Sequence, residues 1–172
     1  IMDLATIKFL ADYNKTVNVQ MDALIAGLSE EQWNTKFGGY FDSIRSMCNH
    51  LCTCDFNWLR RFALLRPFEY IKDGFFERGI AFGERAFETR EEYFRLRGEL
   101  DEYLKRFAAE LRAEDLGRIL KYNDSHGDEH NQEYGLVILH VFNHQTHHRG
   151  MISLYLEELK VENDYSNIMD II

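Results

Sequence analysis

Proline and long apolar runs are the two features that this sequence most clearly lacks. Pro67 is the single proline, so almost nothing in the chain interrupts a helical hydrogen-bond ladder. Hydrophobic residues make up 45% of the chain and recur with a helical period over long segments. No stretch of 18 apolar residues occurs, so the sequence predicts no membrane span. This combination is typical of a packed, mostly helical globule.

The chain also lacks an excess of positive charge. It carries 20 Lys and Arg residues against 29 Asp and Glu residues, which gives a formal net charge of −9. Nucleic-acid binding depends on neutralising phosphates with basic side chains, and no dense basic stripe offsets the acidic balance. Anionic membrane surfaces are disfavoured for the same reason. We therefore expect neither a nucleic acid nor a membrane as a partner.

Cysteine is scarce, and its spacing is that of neither a disulfide framework nor a zinc finger. Cys48, Cys52 and Cys54 crowd into one helix-like segment, and their number is odd. We expect them to be small buried hydrophobic residues in a reducing compartment. Because no signal-peptide pattern is visible either, the expected location is the cytoplasm. Cys54 lies one helical turn from His50, so a thiol near any metal at His50 remains an open alternative.

Capping signals and apolar periodicity predict four long helices, over residues 3–27, 43–66, 89–112 and 133–160. Capping-box patterns start at Ser29, which opens a short extra helix, and at Thr89. The aromatic residues 67–88 predict an irregular or partly helical connection that covers one end of the core and could wall a cleft. Residues 118–134 predict a short β-hairpin or a loop. The expected fold is an all-α four-helix bundle, formed as one domain by residues 1–172, with its topology left open.

Four of the seven histidines lie within nine residues of the last predicted helix, in Leu139-His-Val-Phe-Asn-His-Gln-Thr-His-His-Arg-Gly150. On a helical wheel, His144 and His148 fall inside the apolar stripe, whereas His140 and His147 lie on its flank. The stripe consists of Val137, Val141, Ile152, Tyr155 and Leu159. Two imidazoles side by side in such a stripe are unfavourable unless their nitrogens are satisfied, which a metal ion would do. The alternatives are a hydrogen-bonded core histidine or a His-rich surface tract.

Two short motifs of the second long helix, Asn49-His50-Leu51 and Trp58-Leu59-Arg60, accompany the segment Leu139–Gly150, and the late Asp164 precedes an apolar tail. In these motifs the chain resembles the DinB-like (YfiT-like) superfamily of metal-dependent four-helix bundles. The resemblance implies that His50, His144 and His148 hold a divalent metal ion. It implies that His140 and His147 support the ligands or line the cleft. The chain lacks the proline that the family usually has before the tail aspartate.

The resemblance also implies a chemistry for this three-histidine site. Three imidazoles leave one coordination position open, and zinc is the expected ion, with nickel as the second choice. Some relatives look like transferases that use low-molecular-weight thiols, which implies a metal-dependent thiol S-transferase acting on a small electrophile. A metal-dependent hydrolase is the second chemistry, and a non-catalytic, metal-stabilised stress-response binding module is the alternative outside enzymes. A homodimer is expected, since such bundles commonly pair. The sequence identifies no general base.

Overall fold

Four long α-helices and one β-hairpin make up most of the fold of residues 2–170. The structure is a computed structural model, and it describes residues 2–170. Its main elements are α1 (Leu4–Ala26), α2 (Glu30–Asn34), α3 (Ile44–Phe62), α4 (Arg90–Glu110), β1 (Ile119–Asn123), β2 (Glu129–Glu133) and α5 (Tyr134–Glu158). Helices α1 and α3 each pack against both α4 and α5. The long helices therefore form a four-helix bundle in which α1 and α3 lie diagonally opposite each other, and the predicted all-α fold is confirmed.

Polar caps determine where the helices begin. Ser29, Ser43 and Thr89 each accept a hydrogen bond from the backbone N–H three residues further on. In each case the side chain at that third position accepts a bond from the backbone of the cap, which completes a capping box. The box at Ser43 fixes the start of α3, the helix that carries His50.

Helix α3 ends earlier than its apolar pattern predicts. The expected end near Arg66 is wrong, because the regular helix stops at Phe62 and the next turn is closed by bonds to carbonyls three residues back. Pro67 disfavours helical backbone in the residue that precedes it. The side chain of Arg66 turns instead towards the end of α4, where it donates hydrogen bonds to Asp115 and to the carbonyl of Glu110.

The connection between α3 and α4 packs mostly into the core. It contains two 3₁₀ helices, Tyr70–Lys72 and Gly74–Arg78. Phe68 and Phe75 are buried and pack against the α4 residues Phe107 and Tyr103 respectively. Gly83, Glu84, Arg85 and Phe87, at the end of the connection, line a cavity, whereas Phe68 and Phe75 fill the core, so the expected aromatic cleft wall stays a prediction.

The predicted hairpin or loop before the last helix is a hairpin, in which β1 and β2 pair antiparallel. The tail after α5 also packs against the bundle. Tyr165 is buried and donates to the carbonyl of Arg149 at 2.8 Å, and Tyr13 donates to the carbonyl of Ser166 at 2.6 Å. Within residues 2–170, no helix is both long enough and apolar enough to cross a membrane.

A group of buried polar side chains interrupts the apolar core. This buried polar cluster takes residues from all four long helices: Asn14, Asn18, Asp55, Arg97, Asp101, Gln145 and Arg149. The guanidinium Nη2 of Arg97 lies 2.7 Å from Asp55 and 2.9 Å from Asp101. Asp55 also accepts a hydrogen bond from the side-chain amide of Gln145. The cluster therefore connects α3, α4 and α5 through charged and polar contacts rather than through apolar packing alone.

Candidate metal centre

Three histidine side chains from α3 and α5 bring their Nε2 atoms together. The Nε2 of His50 lies 3.1 Å from that of His144 and 3.2 Å from that of His148. The Nε2 atoms of His144 and His148 are 3.0 Å apart. These three side chains form a group that could hold a metal ion, and no fourth His, Cys, Asp or Glu joins it among residues 2–170. They are the three residues that the sequence and the family resemblance select.

Helix geometry explains how two helices supply this group. His144 and His148 are one turn apart on α5, so their rings lie one above the other on the same face. His148 is buried, with 8% of its surface exposed, and His144 is half-buried beside it. His50 is half-buried on α3 and reaches the pair across the interface between α3 and α5. From the boundary position that the sequence predicts for it, the ring of His50 reaches from α3 to the two histidines of α5.

The environment of the three rings keeps them uncharged. Desolvation lowers the pKa of His50, His144 and His148 to about 4 in each case, and repulsion from a neighbouring histidine acts in the same direction. All three imidazoles are therefore neutral at pH 7. A neutral imidazole has one N–H and one lone pair, so each ring can present its Nε2 lone pair to a cation.

The spacing of the nitrogens fits a metal ion bound by three imidazoles. Zinc–nitrogen bonds of about 2.0–2.1 Å in a tetrahedral arrangement place the ligand nitrogens about 3.3–3.4 Å apart. The observed separations of 3.0–3.2 Å are a few tenths of an ångström shorter. Three converging lone pairs repel one another unless a cation lies between them. The donor set is therefore suited to a divalent ion, and three protein ligands leave a further position for water or substrate.

Phe41, in the loop before α3, covers one face of His50. The two rings stack with centroids 4.0 Å apart, and Phe41 meets the ring of His148 edge-on at 5.7 Å. The hydroxyl of Tyr155 on α5 holds this loop by donating to the carbonyl of Phe41 at 2.9 Å. A Cβ atom on Gly39 would overlap that hydroxyl, so the close approach requires glycine. Sequence reasoning missed Phe41 because a loop residue has no periodic signal.

The three cysteines are free and buried, as predicted. The Sγ of Cys54 lies 3.6 Å from both ring nitrogens of His50, which places a thiol beside the centre. Burial raises the pKa of the Cys54 thiol to about 12. The side chain is therefore a neutral thiol near pH 7, and it packs against His50 without adding a negative charge.

Comparison with known protein families agrees with these observations. A sequence model of the DinB family matches residues 4–166, which is nearly the whole chain. The chain belongs to the DinB family. It has no significant match among curated proteins or among solved structures. Family membership and the three-histidine group together support a metal-binding DinB protein, whereas the reaction must be inferred from the site.

The two flanking histidines of this DinB protein stay outside the group. Both are exposed. The ring of His140 meets Trp58 edge-on at 5.6 Å and lines a cavity of about 230 Å³ together with Tyr122. The ring of His147 lies 4.9 Å from that of His148, and its side chain faces solvent. Their predicted role as residues that support the ligands or line a cleft stays a prediction.

A larger cavity, of about 430 Å³, reaches the centre through His50, and we call it the His50 cavity. Asn49 of α3 lies in the cavity wall and forms two hydrogen bonds with the connection between α3 and α4. Its side-chain amide donates to the carbonyl of Glu84 at 2.9 Å and accepts from the N–H of Ala86 at 2.8 Å. His50 lies in the lining of this cavity, so a small molecule bound there would lie beside the three-histidine group.

Sequence reasoning also missed Asp55 and Gln145, which hold the ligand-bearing helices together. Asp55 lies five residues after His50 on α3, and Gln145 directly follows His144 on α5. Both are buried, and the amide of Gln145 donates to the carboxylate of Asp55. A signal was present, because Gln145 lies one turn after Val141 and therefore within the apolar face of α5. A polar residue there indicates a buried partner.

Proposed function

We propose that this DinB protein is a metal-dependent enzyme that transfers a low-molecular-weight thiol to a small electrophile. The observation that carries the proposal is the group of three neutral imidazoles beside a cavity of about 430 Å³. His50, His144 and His148 would hold the divalent ion. Zinc is the proposed ion because it favours tetrahedral sites with nitrogen ligands, and nickel is the second choice because it binds imidazole well.

A bound divalent ion would make a coordinated thiol acidic enough to ionise near neutral pH, so that its sulfur can displace a leaving group from an electrophile. In that displacement the sulfur–carbon bond forms, the leaving group takes the electron pair, and the thiol proton passes to solvent. The residues of the chain orient and shield the centre. Phe41 stacks on His50 and keeps water from one face of the ring, while Cys54 packs beside that ring as a neutral group. The His50 cavity supplies space for the substrates.

Two other functions compete with thiol transfer. A metal-dependent hydrolase would need a base to take a proton from water. No carboxylate joins the three-histidine group in the described part of the chain, which favours thiol transfer. A non-catalytic stress-response binding module would use the ion only for stability. The cavity beside His50 favours an enzyme, because a purely structural site is usually closed by four protein ligands.

Metal analysis of untagged protein, followed by a panel of thiols and electrophiles, tests the proposal. His144→Ala should remove most of the bound metal because two imidazoles bind more weakly than three. His147→Ala is the matched control, since this exposed histidine is on the same helix, and it should leave the metal in place. Equal behaviour of the two variants would contradict the assignment of ligands. Full metal loading without activity across the panel would favour the binding module.

We also propose that the protein forms a homodimer through the outer face of α5. Leu136, Leu139 and Leu154 lie on one side of this helix and are 58%, 44% and 53% exposed. Two-fold pairing of α5 with a second copy would remove these three leucine side chains from water. The three free cysteines fit a reducing compartment, and the cytoplasm is the proposed location.

A further inference from the structure

The lining of the His50 cavity is rich in basic side chains, whereas the protein is acidic overall. Lys36, Arg45 and Arg85 line it, and Glu84 is the one carboxylate in its lining as far as residues 2–170 show. The chain as a whole has a net charge of −9. The carboxylate of Glu84 keeps its charge and accepts a hydrogen bond from the backbone N–H of Ala81 at 3.2 Å. The basic side chains in this lining are candidate partners for an anionic ligand.

Arg45 differs from the other two cations in this lining, because no carboxylate of residues 2–170 forms an ion pair with it. Lys36 and Arg85 each pair with an acidic side chain at 2.8 Å. The guanidinium of Arg45 donates to two neutral oxygens instead, the backbone carbonyl of Glu88 at 2.8 Å and the side-chain oxygen of Asn34 at 3.4 Å. Among the residues that the structure describes, it forms no ion pair. These two bonds hold the side chain in place without neutralising it.

The remaining donors of Arg45 are available to a ligand. Arginine has five N–H donors in a rigid fork, and the two neutral contacts use two of them. The fork matches the two oxygens of a carboxylate, and such pairs are among the stronger hydrogen bonds in proteins. Arg45 is half-buried, which reduces screening by solvent. It lies five residues before His50 on α3, a rise of about 7.5 Å along the helix axis.

We propose that the His50 cavity binds a small molecule with a carboxylate group, which Arg45 holds while the reactive end of the molecule reaches the three-histidine group. The inference rests on the proposed function and gives the substrate class for that site. A carboxylate at Arg45 and a reactive group near His50 would place the molecule along α3. A neutral molecule of the same size would leave the Arg45 charge without a partner and should bind more weakly.

The first experiment tests the carboxylate site without any thiol chemistry. The full-length, metal-loaded protein is labelled with ¹⁵N and titrated with propionate or with its neutral isostere propionamide. Propionate should shift the Nε–H resonance of Arg45, which is assigned by its loss in Arg45→Gln, and propionamide should not. Arg112→Gln, at an exposed arginine outside the cavity lining, is the matched control and should bind propionate like wild type. Equal propionate binding by Arg45→Gln and wild type would overturn the inference.

The second experiment joins the carboxylate site to the metal centre. Cobalt-substituted protein is titrated with 3-mercaptopropionate and with neutral 2-mercaptoethanol, and the thiolate-to-cobalt absorption band is measured. Wild type should prefer the acid by about tenfold or more, and Arg45→Gln should bind the two thiols about equally. Arg45→Lys keeps the positive charge but lacks the two parallel N–H donors of arginine, so it should retain part of the preference for the acid. This partial retention would show that the loss in Arg45→Gln does not come from a folding defect.

The two experiments separate failure of the inference from failure of the proposed function. If propionate binds through Arg45 but neither thiol produces the cobalt band, the carboxylate site stands and thiol transfer is wrong. If both thiols produce the band and the preference for the acid is the same in wild type and Arg45→Gln, thiol binding stands and the role of Arg45 is wrong.

Discussion

Removing the positive charge of Arg97 should destabilise the bundle by several kcal/mol. Arg97 is fully buried, with its Nη2 2.7 Å from Asp55 and 2.9 Å from Asp101. The substitution Arg97→Met keeps an unbranched, flexible side chain but removes the cation that contacts both buried carboxylates. Breaking a buried ion pair by removing one partner costs about 3–5 kcal/mol, because the remaining charge stays desolvated.

This loss corresponds to a measurable fall in Tm. For a chain of this size, 1 kcal/mol shifts Tm by about 2–4 °C, so the expected decrease is roughly 6–20 °C. The penalty should be smaller in mild acid than at neutral pH. Burial raises the pKa of Asp101, and without Arg97 the opposing attraction disappears, so a carboxyl left unpaired can take up a proton and lose its charge.

Urea unfolding followed by circular dichroism, at about pH 5 and about pH 8, measures the effect. The triple variant Arg97→Met, Asp55→Asn, Asp101→Asn removes the charges of Arg97 and of the two carboxylates that contact it, and keeps side chains of similar volume. It should recover most of the stability that the single variant loses, because replacing a whole buried ion pair by neutral groups is often close to neutral. If the triple variant is as unstable as the single one, unpaired charge is not the cause and the reasoning is refuted.

Asp22 should make the fold less stable as the pH rises. Burial raises its pKa from 3.8 to about 7, so in that window the folded protein keeps a proton that the unfolded chain has lost. The free energy of unfolding of Asp22→Asn should therefore exceed that of wild type by at most about 4 kcal/mol at about pH 8 and should equal it at about pH 3.5. Urea unfolding measures this difference, and a difference that does not vary with pH would contradict the prediction. Bound metal should persist at about pH 6 and fall towards pH 4, because the pKa values of His50, His144 and His148 are about 4 and protons compete with the metal only near that pH. Metal content and circular dichroism measured on one pH series check this. Complete loss of the metal by pH 6 would count against it. Light scattering should give about twice the chain mass of 20.4 kDa, and Leu139→Glu should reduce it to the monomer mass; a wild-type monomer would contradict the dimer.

The helices and the histidine pair of α5 are predictable from the sequence because their signals are local. The capping boxes at Ser29 and Thr89 need only four consecutive residues, and both are present in the structure. The wheel of α5 predicts that His148 and His144 are less exposed than His140 and His147, and the structure agrees. Local periodicity determines these features, so no knowledge of tertiary packing is required.

Contacts between distant segments have no comparable signal. The periodicity of α3 places His50 at a boundary and does not say which helix it faces, so the family resemblance selects it as a ligand. The roles of the loop residue Phe41 and of the cavity-lining Arg45 become visible only when the chain is folded around the cavity. The end of α3 at Phe62 depends on Pro67 and on the contact between Arg66 and the end of α4. The order of helices around the bundle depends on where the long connections cross.

The buried polar cluster and the candidate metal centre lie next to each other on the two helices that they share, α3 and α5. Helix α3 carries His50 and Asp55, and α5 carries His144, Gln145 and His148, so the bond between Gln145 and Asp55 lies beside the ligands along both helices. Apolar side chains tolerate sliding of one helix along another, whereas a buried hydrogen bond has a fixed partner and is unfavourable when unmade. A slip of one turn would move α5 by about 5.4 Å, which would leave Asp55 without Gln145 and would separate His50 from the pair. The hydrogen bond between Gln145 and Asp55 therefore fixes the register of α5 against α3. That register is the one in which the three histidine Nε2 atoms lie within 3.2 Å of one another.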